Sequence, residues 1–138
     1  MKSSIENCKI IKLPKVKDKR GNITFLEKNT LIPFSIKRIY YLYNIPSGAK
    51  RGSHGHKKLQ QLIIAISGSF DVLIKDGKKT KKFHLNSPNF GLYIPKMIWR
   101  EIINFSTRSV CLVLASKKYN KEDYIKSFKK FKALKNKL

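Results

Sequence analysis

From residue 8 to 116 the chain is a succession of short apolar runs, each closed by a turn signal. That punctuation constrains the fold more than any other feature. Strands are predicted at 8–13, 22–27, 36–43, 61–67, 70–75, 81–85, 91–95, 100–105 and 109–115, all rich in β-branched and aromatic residues. The segments between them, RGN, PSGAKRG, SGS, KDGKK, NSPNFG and STRS, carry turn chemistry. Asp76-Gly77, between FDVLIK and KKFHL, is the strongest hairpin signal. Many short strands without intervening helices imply an all-β chain, folded as an antiparallel barrel or sandwich.

The last twenty residues, YNKEDYIKSFKKFKALKNKL, follow a different period. Asn120 is a plausible N-cap, Glu122 and Asp123 stand where a helix dipole favours acids, and Tyr124, Phe128 and Phe131 recur at spacings of four and three. The pattern predicts an amphipathic helix over about 120–136, docked by its aromatic face on a barrel spanning about 8–116. A membrane-surface or RNA-binding helix is the competing use of such a segment. At 138 residues, with no internal repeat or linker, the chain is expected to form one domain over 1–138.

The formal charge of +23 points to an anionic partner. Of the 31 basic residues 26 are lysines spread along the whole length, which fits a solvated coat better than a nucleic-acid footprint. Arginine is scarce and more informative. Arg20 precedes a Gly-Asn turn, Arg38 lies in a predicted strand, Arg51 opens a histidine motif and Arg100 follows the only tryptophan; Arg108 alone sits in an ordinary turn. Planar, bidentate cations near motif-like segments suit a small phosphorylated ligand. Cys8 and Cys111 are read as two reduced thiols of a cytoplasmic protein. No apolar run approaches a membrane span, and the first ten residues lack a signal-peptide pattern.

The motif RGSHGH, residues 51–56, holds two of the three histidines. On a strand, residues two apart face the same side, so His54 and His56 project together. The pair resembles the first motif of the cupin barrels, in which His-x-His is followed by a carboxylate and a later histidine to complete a metal site. Here the carboxylate position reads Gln60 and the later one reads Arg100, a cation that would repel a divalent ion. The pair is therefore expected to bind no metal and to move protons, since imidazole titrates near neutrality. Tyr40, on the same strand face as Arg38, is a further candidate.

Taken together, RGNITFLE, IPFSIKRIYYLYNIPSGAKRGSHGHKKLQQLIIAISGSFDVLIKDG, SPNFGLYIPKMIWREIINFS and VLASKKYNKEDYI resemble the sugar 3,4-ketoisomerases over about residues 8–131. The resemblance implies a metal-free, cofactor-free cupin (jelly-roll) barrel with a C-terminal helix. It also implies a homodimer with an exchanged N-terminal strand. The implied substrate is dTDP-4-oxo-6-deoxyglucose, isomerised through an enediol to a 3-oxo sugar destined for amination. It places His54 and His56 as acid–base pair with Tyr40 beside them, and Arg38 and Arg51 on the diphosphate or sugar. Arg20 and Arg100 occupy positions where the C4 configuration of the product is expressed. Arg20 matches the galacto type, while Arg100 stands where that type tends to carry histidine; a galacto product is expected. A 3,5-epimerase of the same substrate and a basic nucleic-acid-binding module are the alternatives.

Overall fold

The computed structural model describes residues 3–27 and 31–138. Its strands, in chain order, are β1 (Lys9–Lys12), β2 (Lys15–Val16), β3 (Ile23–Thr24), β4 (Arg38–Leu42), β5 (Arg51–His56) and β6 (Gln61–Ser67). There follow β7 (Phe70–Lys75), β8 (Thr80–Leu85), β9 (Phe90–Ile94), β10 (Trp99–Ile103), β11 (Val110–Ala115) and β12 (Tyr124–Ile125), then one helix, α1 (Phe128–Asn136). Two antiparallel five-stranded sheets, ordered β1-β9-β6-β11-β4 and β12-β5-β10-β7-β8, form the jelly roll of a cupin-like barrel; β2 and β3 make a separate ribbon. The Asp76-Gly77 hairpin forms as expected, with Lys75 opposite Thr80. Both Asp76 oxygens are used: Oδ1 accepts from Lys78 and Lys79, and Oδ2 accepts from Ile5 at 3.0 Å.

Between the sheets lies a core that includes Ile63, Ala65, Phe70, Val72, Ile74, Leu92, Ile94, Ile102, Cys111 and Val113. Alternate residues of β6, Leu62 and Ile64, face outward and pack with Leu13, Ile32 and Leu114. The continuous apolar run of β6 is thus explained by burial on both faces. Cys8 and Cys111 are free thiols in the first cluster, and burial pushes both up to about 12.

The C-terminal helix departs from expectation. Asn120 caps only a 3-10 turn, Lys121–Asp123, accepting from the Glu122 amide. The chain then runs extended and adds β12 to the edge of β5, with Tyr124 opposite His56 and Ile125 opposite Gly55. The nine-residue α1 starts only at Phe128, capped by Ser127. Long-range bonds outcompete local helix propensity here. The Lys57 amide donates to the Asp123 carbonyl, and the Asp123 side chain accepts from the amides of Lys58 and Leu59.

Phe131, with Trp99, Met97 and Ile125, forms a small cluster that clamps α1 onto the outer face of the second sheet. Gly55 makes this possible: a Cβ there would stand 2.9 Å from a Phe131 ring carbon. Phe131→Ala is expected to destabilise the fold by about 3–5 kcal/mol, read as a lowered denaturant midpoint.

Candidate active site

The barrel mouth holds a cavity of about 410 Å³, the size of a small-ligand pocket, lined among others by Arg38, Tyr40, Arg51, His54, Gln61, Arg100, Tyr119 and Tyr124. A bulge in β5 brings the RGSHGH motif to it. Arg51 lies opposite Ile102 and His54 opposite Arg100, so three steps on β5 match two on β10. Gly52 absorbs the extra residue at a φ of 70°, in the left-handed region. Arg51 and His54, an odd number of residues apart, consequently both reach the cavity.

The two imidazoles touch edge-to-face, with ring centroids 4.7 Å apart. They are not equivalent. His54 lines the cavity, whereas His56 is fully buried behind it. The Nδ1 of His56 lies 3.1 Å from the Asp123 carboxylate, whose oxygens also accept the Lys58 and Leu59 amides; with that acceptor role filled, His56 Nδ1 carries the hydrogen. Burial, reinforced by the Arg100 charge, holds the His54 pKa down to about 3 and lowers that of His56 as well. Both rings are therefore neutral near pH 7, the form that accepts protons.

Arg100 forms part of the cavity floor and is 1% exposed. Its Nη1 donates to Gln61 Oε1 and its Nη2 to the Ile98 carbonyl, both neutral acceptors. Burial lowers its pKa only to about 10, so the floor stays cationic at neutral pH. Gln61 Nε2 in turn donates to the Tyr40 hydroxyl at 3.0 Å. Burial raises the Tyr40 pKa, keeping the phenol protonated. Arg38 lies over the Tyr40 ring at 4.7 Å, and its Nη2 donates to Tyr124 Oη at 3.3 Å.

Five of the predicted side chains, Tyr40, Arg38, Arg51, His54 and Arg100, thus meet in one cavity, with His56 just behind. Arg20 does not join them in its own chain. Its side chain is 90% exposed and bound to Asp18 within the turn. Gln60 does not occupy a ligand position: its side chain accepts from Tyr93 Oη, and the inward residue is its neighbour Gln61. Three site residues went unpredicted: Gln61, Asp123 and Tyr124. The ring of Tyr124, expected on a helix face, packs against His54 and His56 at 4.9 and 4.4 Å.

A cupin-like barrel with an imidazole, phenols and arginines converging in its mouth, and a second imidazole buried behind them, defines a small-molecule enzyme site. Comparison with known proteins narrows the class. The model of the family described as "FdtA: WxcM-like, C-terminal" matches residues 6–136. The TDP-4-oxo-6-deoxy-alpha-D-glucose-3,4-oxoisomerase of Aneurinibacillus thermoaerophilus is 41% identical over 124 residues, covering 90% of this chain and 89% of that protein. Two solved structures are similarly close. A histidine-to-asparagine variant of the 3,4-ketoisomerase QdtA of Thermoanaerobacterium thermosaccharolyticum, in complex with TDP-4-keto-6-deoxyglucose, superposes with a TM-score of 0.92 at 38% identity, over 95% of each chain. The Campylobacter jejuni TDP-quinovose 3,4-ketoisomerase WlaRB gives 0.89 at 45% identity, over 94% of this chain and 99% of that one. A Bacillus anthracis dTDP-4-dehydrorhamnose 3,5-epimerase, at 18% identity and a TM-score of 0.77, over 90% of this chain and 80% of that one, shares the fold alone. The chain belongs to the FdtA, WxcM-like family.

Depressed histidine pKa values have a sign for stability. The unfolded chain takes up protons near 6.5 while the folded one does not, so stability is intact above that pH and falls as pH drops toward about 3. Nitrogen-15 NMR of the imidazoles should find His54 neutral from pH 8 to 5, and His56 neutral with its hydrogen on Nδ1. The denaturant midpoint should decline below pH 6.5, less steeply in His54→Asn.

Proposed function

We propose that this enzyme is a sugar-nucleotide 3,4-ketoisomerase converting dTDP-4-oxo-6-deoxy-D-glucose to a dTDP-3-oxo-6-deoxyhexose. The observation that carries the proposal is the pairing, in one cavity, of a neutral imidazole on His54 with the buried cation of Arg100. The reaction needs both. The C4 ketone acidifies the C3 hydrogen, His54 takes that proton, the electron pair forms a C3–C4 double bond and negative charge moves to the C4 oxygen. Arg100 and the Tyr40 hydroxyl are suited to stabilise that charge, fixed in a site shielded from bulk water. The hydroxyl proton of C3 passes to the C4 oxygen, C4 receives a proton, and the carbonyl is left at C3.

Arg38 and Arg51, lining the same cavity, suit the diphosphate or sugar. His56 departs from the role of an equal partner in the acid–base pair. With no exposure, it acts from behind His54, held by Asp123. A divalent metal fits the site poorly, because Arg100 places a positive charge beside the one cavity-facing histidine. The 3-oxo product is a ketone suited to an aminotransferase, giving a 3-amino-3,6-dideoxyhexose. A homodimer belongs to the same proposal: Ile39 and Tyr41 of β4, Tyr43 just beyond it, and Val16, Ile23 and Phe25 around the β2–β3 ribbon are exposed. Exchange of the N-terminal segment between copies would also offer Arg20 a cavity, which the galacto assignment requires.

Purified protein without added metal should convert the 4-oxo sugar to the 3-oxo isomer, with the C3 hydrogen lost and solvent deuterium gained at C4. His54→Asn should lower kcat by about 10²- to 10⁴-fold; wild-type-like turnover in that variant would overturn the assignment. Deuterium at C5 instead would mark a 3,5-epimerase. Product NMR reads the configuration: a small H4–H5 coupling is expected for galacto, and a large diaxial one would make the product gluco.

A further inference from the structure

Gln61 sits between two proposed catalytic groups, and the donor–acceptor chemistry of its neighbours leaves it a single orientation. A guanidinium has only donors, so the side-chain atom of Gln61 facing Arg100 Nη1 must be the carbonyl oxygen. The amide nitrogen then faces Tyr40, and Nε2 donates to the phenolic oxygen at 3.0 Å. Arg38 places its guanidinium over the Tyr40 ring, 4.7 Å from the ring centroid, and adds positive charge on that side. With its oxygen accepting from Gln61, Tyr40 directs its own hydrogen elsewhere, and the ring lines the cavity. From the polarity of this Arg100–Gln61–Tyr40 chain we infer that Gln61 is a positioning residue, which makes Tyr40 a hydrogen-bond donor to the reacting oxygen of the substrate.

The inference rests on the ketoisomerase function and assigns a direction within it. A phenol oriented this way does not remove the C3 proton. It donates to the oxygen at C4 as charge develops there, while Arg100 supplies positive charge from the floor. The burial that raises the Tyr40 pKa keeps the donating hydrogen in place. Gln61 is itself 1% exposed and sits at the start of β6, next to the strand pairing with Ile94 and Ala115 on either side. Its backbone is therefore held independently of its side-chain amide.

The test is a nearly isosteric reversal of polarity. In Gln61→Glu both side-chain oxygens accept, so the residue still binds Arg100 but now draws the Tyr40 hydrogen to itself and away from substrate. The expected result is a kcat lowered by about 10²- to 10³-fold with KM little changed, the same loss as in Tyr40→Phe. The double variant Tyr40→Phe/Gln61→Glu should be no slower than either single variant, because both remove one donor. Gln61→Met, which neither donates nor accepts strongly, leaves the phenol free to turn and should lose less than tenfold; it also serves if Gln61→Glu fails to fold. A Gln61→Glu enzyme with wild-type kcat, losses that multiply in the double variant, or a Gln61→Met enzyme as slow as Tyr40→Phe would each overturn the inference. A wild-type protein that does not isomerise the sugar would remove the function and this inference together, whereas an active wild type with an unimpaired Gln61→Glu removes only the inference.

Discussion

The barrel is organised around a cation that it buries with no carboxylate hydrogen-bonded to it among the described residues. Arg100 directs its two terminal nitrogens at Gln61 and at the Ile98 carbonyl, and its Nε has no hydrogen-bond partner among the described residues. Burying a charge on neutral dipoles alone costs several kcal/mol, and apolar packing around it has to offset that cost. Three features follow from the charge. It depresses both histidines, second only to burial among the causes. It orients Gln61, and through Gln61 the Tyr40 hydroxyl. It also leaves the floor electrostatically incomplete, so that an anion forming in the cavity is more welcome than the neutral ketone that precedes it.

The fold was legible where local chemistry and long-range packing agree. Strands 61–67 and 70–75 emerge with the predicted limits, because their turns are strong and their residues are buried. The predicted strand 22–27 shrinks to Ile23–Thr24, and its exposed neighbours Ile23 and Phe25 lack a core to pack against in the single chain. The tail failed for the opposite reason. Residues 120–127 carry sound helix signals, yet Asp123 is worth more spanning the backbone of residues 57–59 and the ring of His56 than starting a helix. No local pattern encodes a contact 67 residues away.

The site divides along the same line. His54, His56, Arg38, Arg51, Tyr40 and Arg100 could be found because their residue types are scarce or motif-bound. Gln61 could not be told from Gln60 without knowing which of two adjacent side chains faces inward, since one step along a strand reverses the face. Tyr124 stands at helical spacing from Phe128 and Phe131, which predicts a helix, yet it lies in β12 opposite His56. Arg20 shows the limit from the other side: the resemblance alone singles it out, and it stands on an exposed turn of its own chain.

The arginines separate by depth, and depth separates the roles proposed for them. Arg51 and Arg38 lie toward the open part of the cavity, Arg51 exposed and Arg38 half-buried, where the diphosphate of the proposed substrate would keep part of its hydration. Arg100 lies where water is excluded and its field falls off least. A cation at the rim stabilises bound substrate and transition state alike, so it strengthens binding without accelerating chemistry. On the proposed reaction, a cation on the floor interacts weakly with the ketone and strongly with the enediolate, so its stabilisation would appear mainly at the transition state. The bulge at Gly52 makes this division workable, because it lets one strand present Arg51 and the imidazole of His54 to the same cavity.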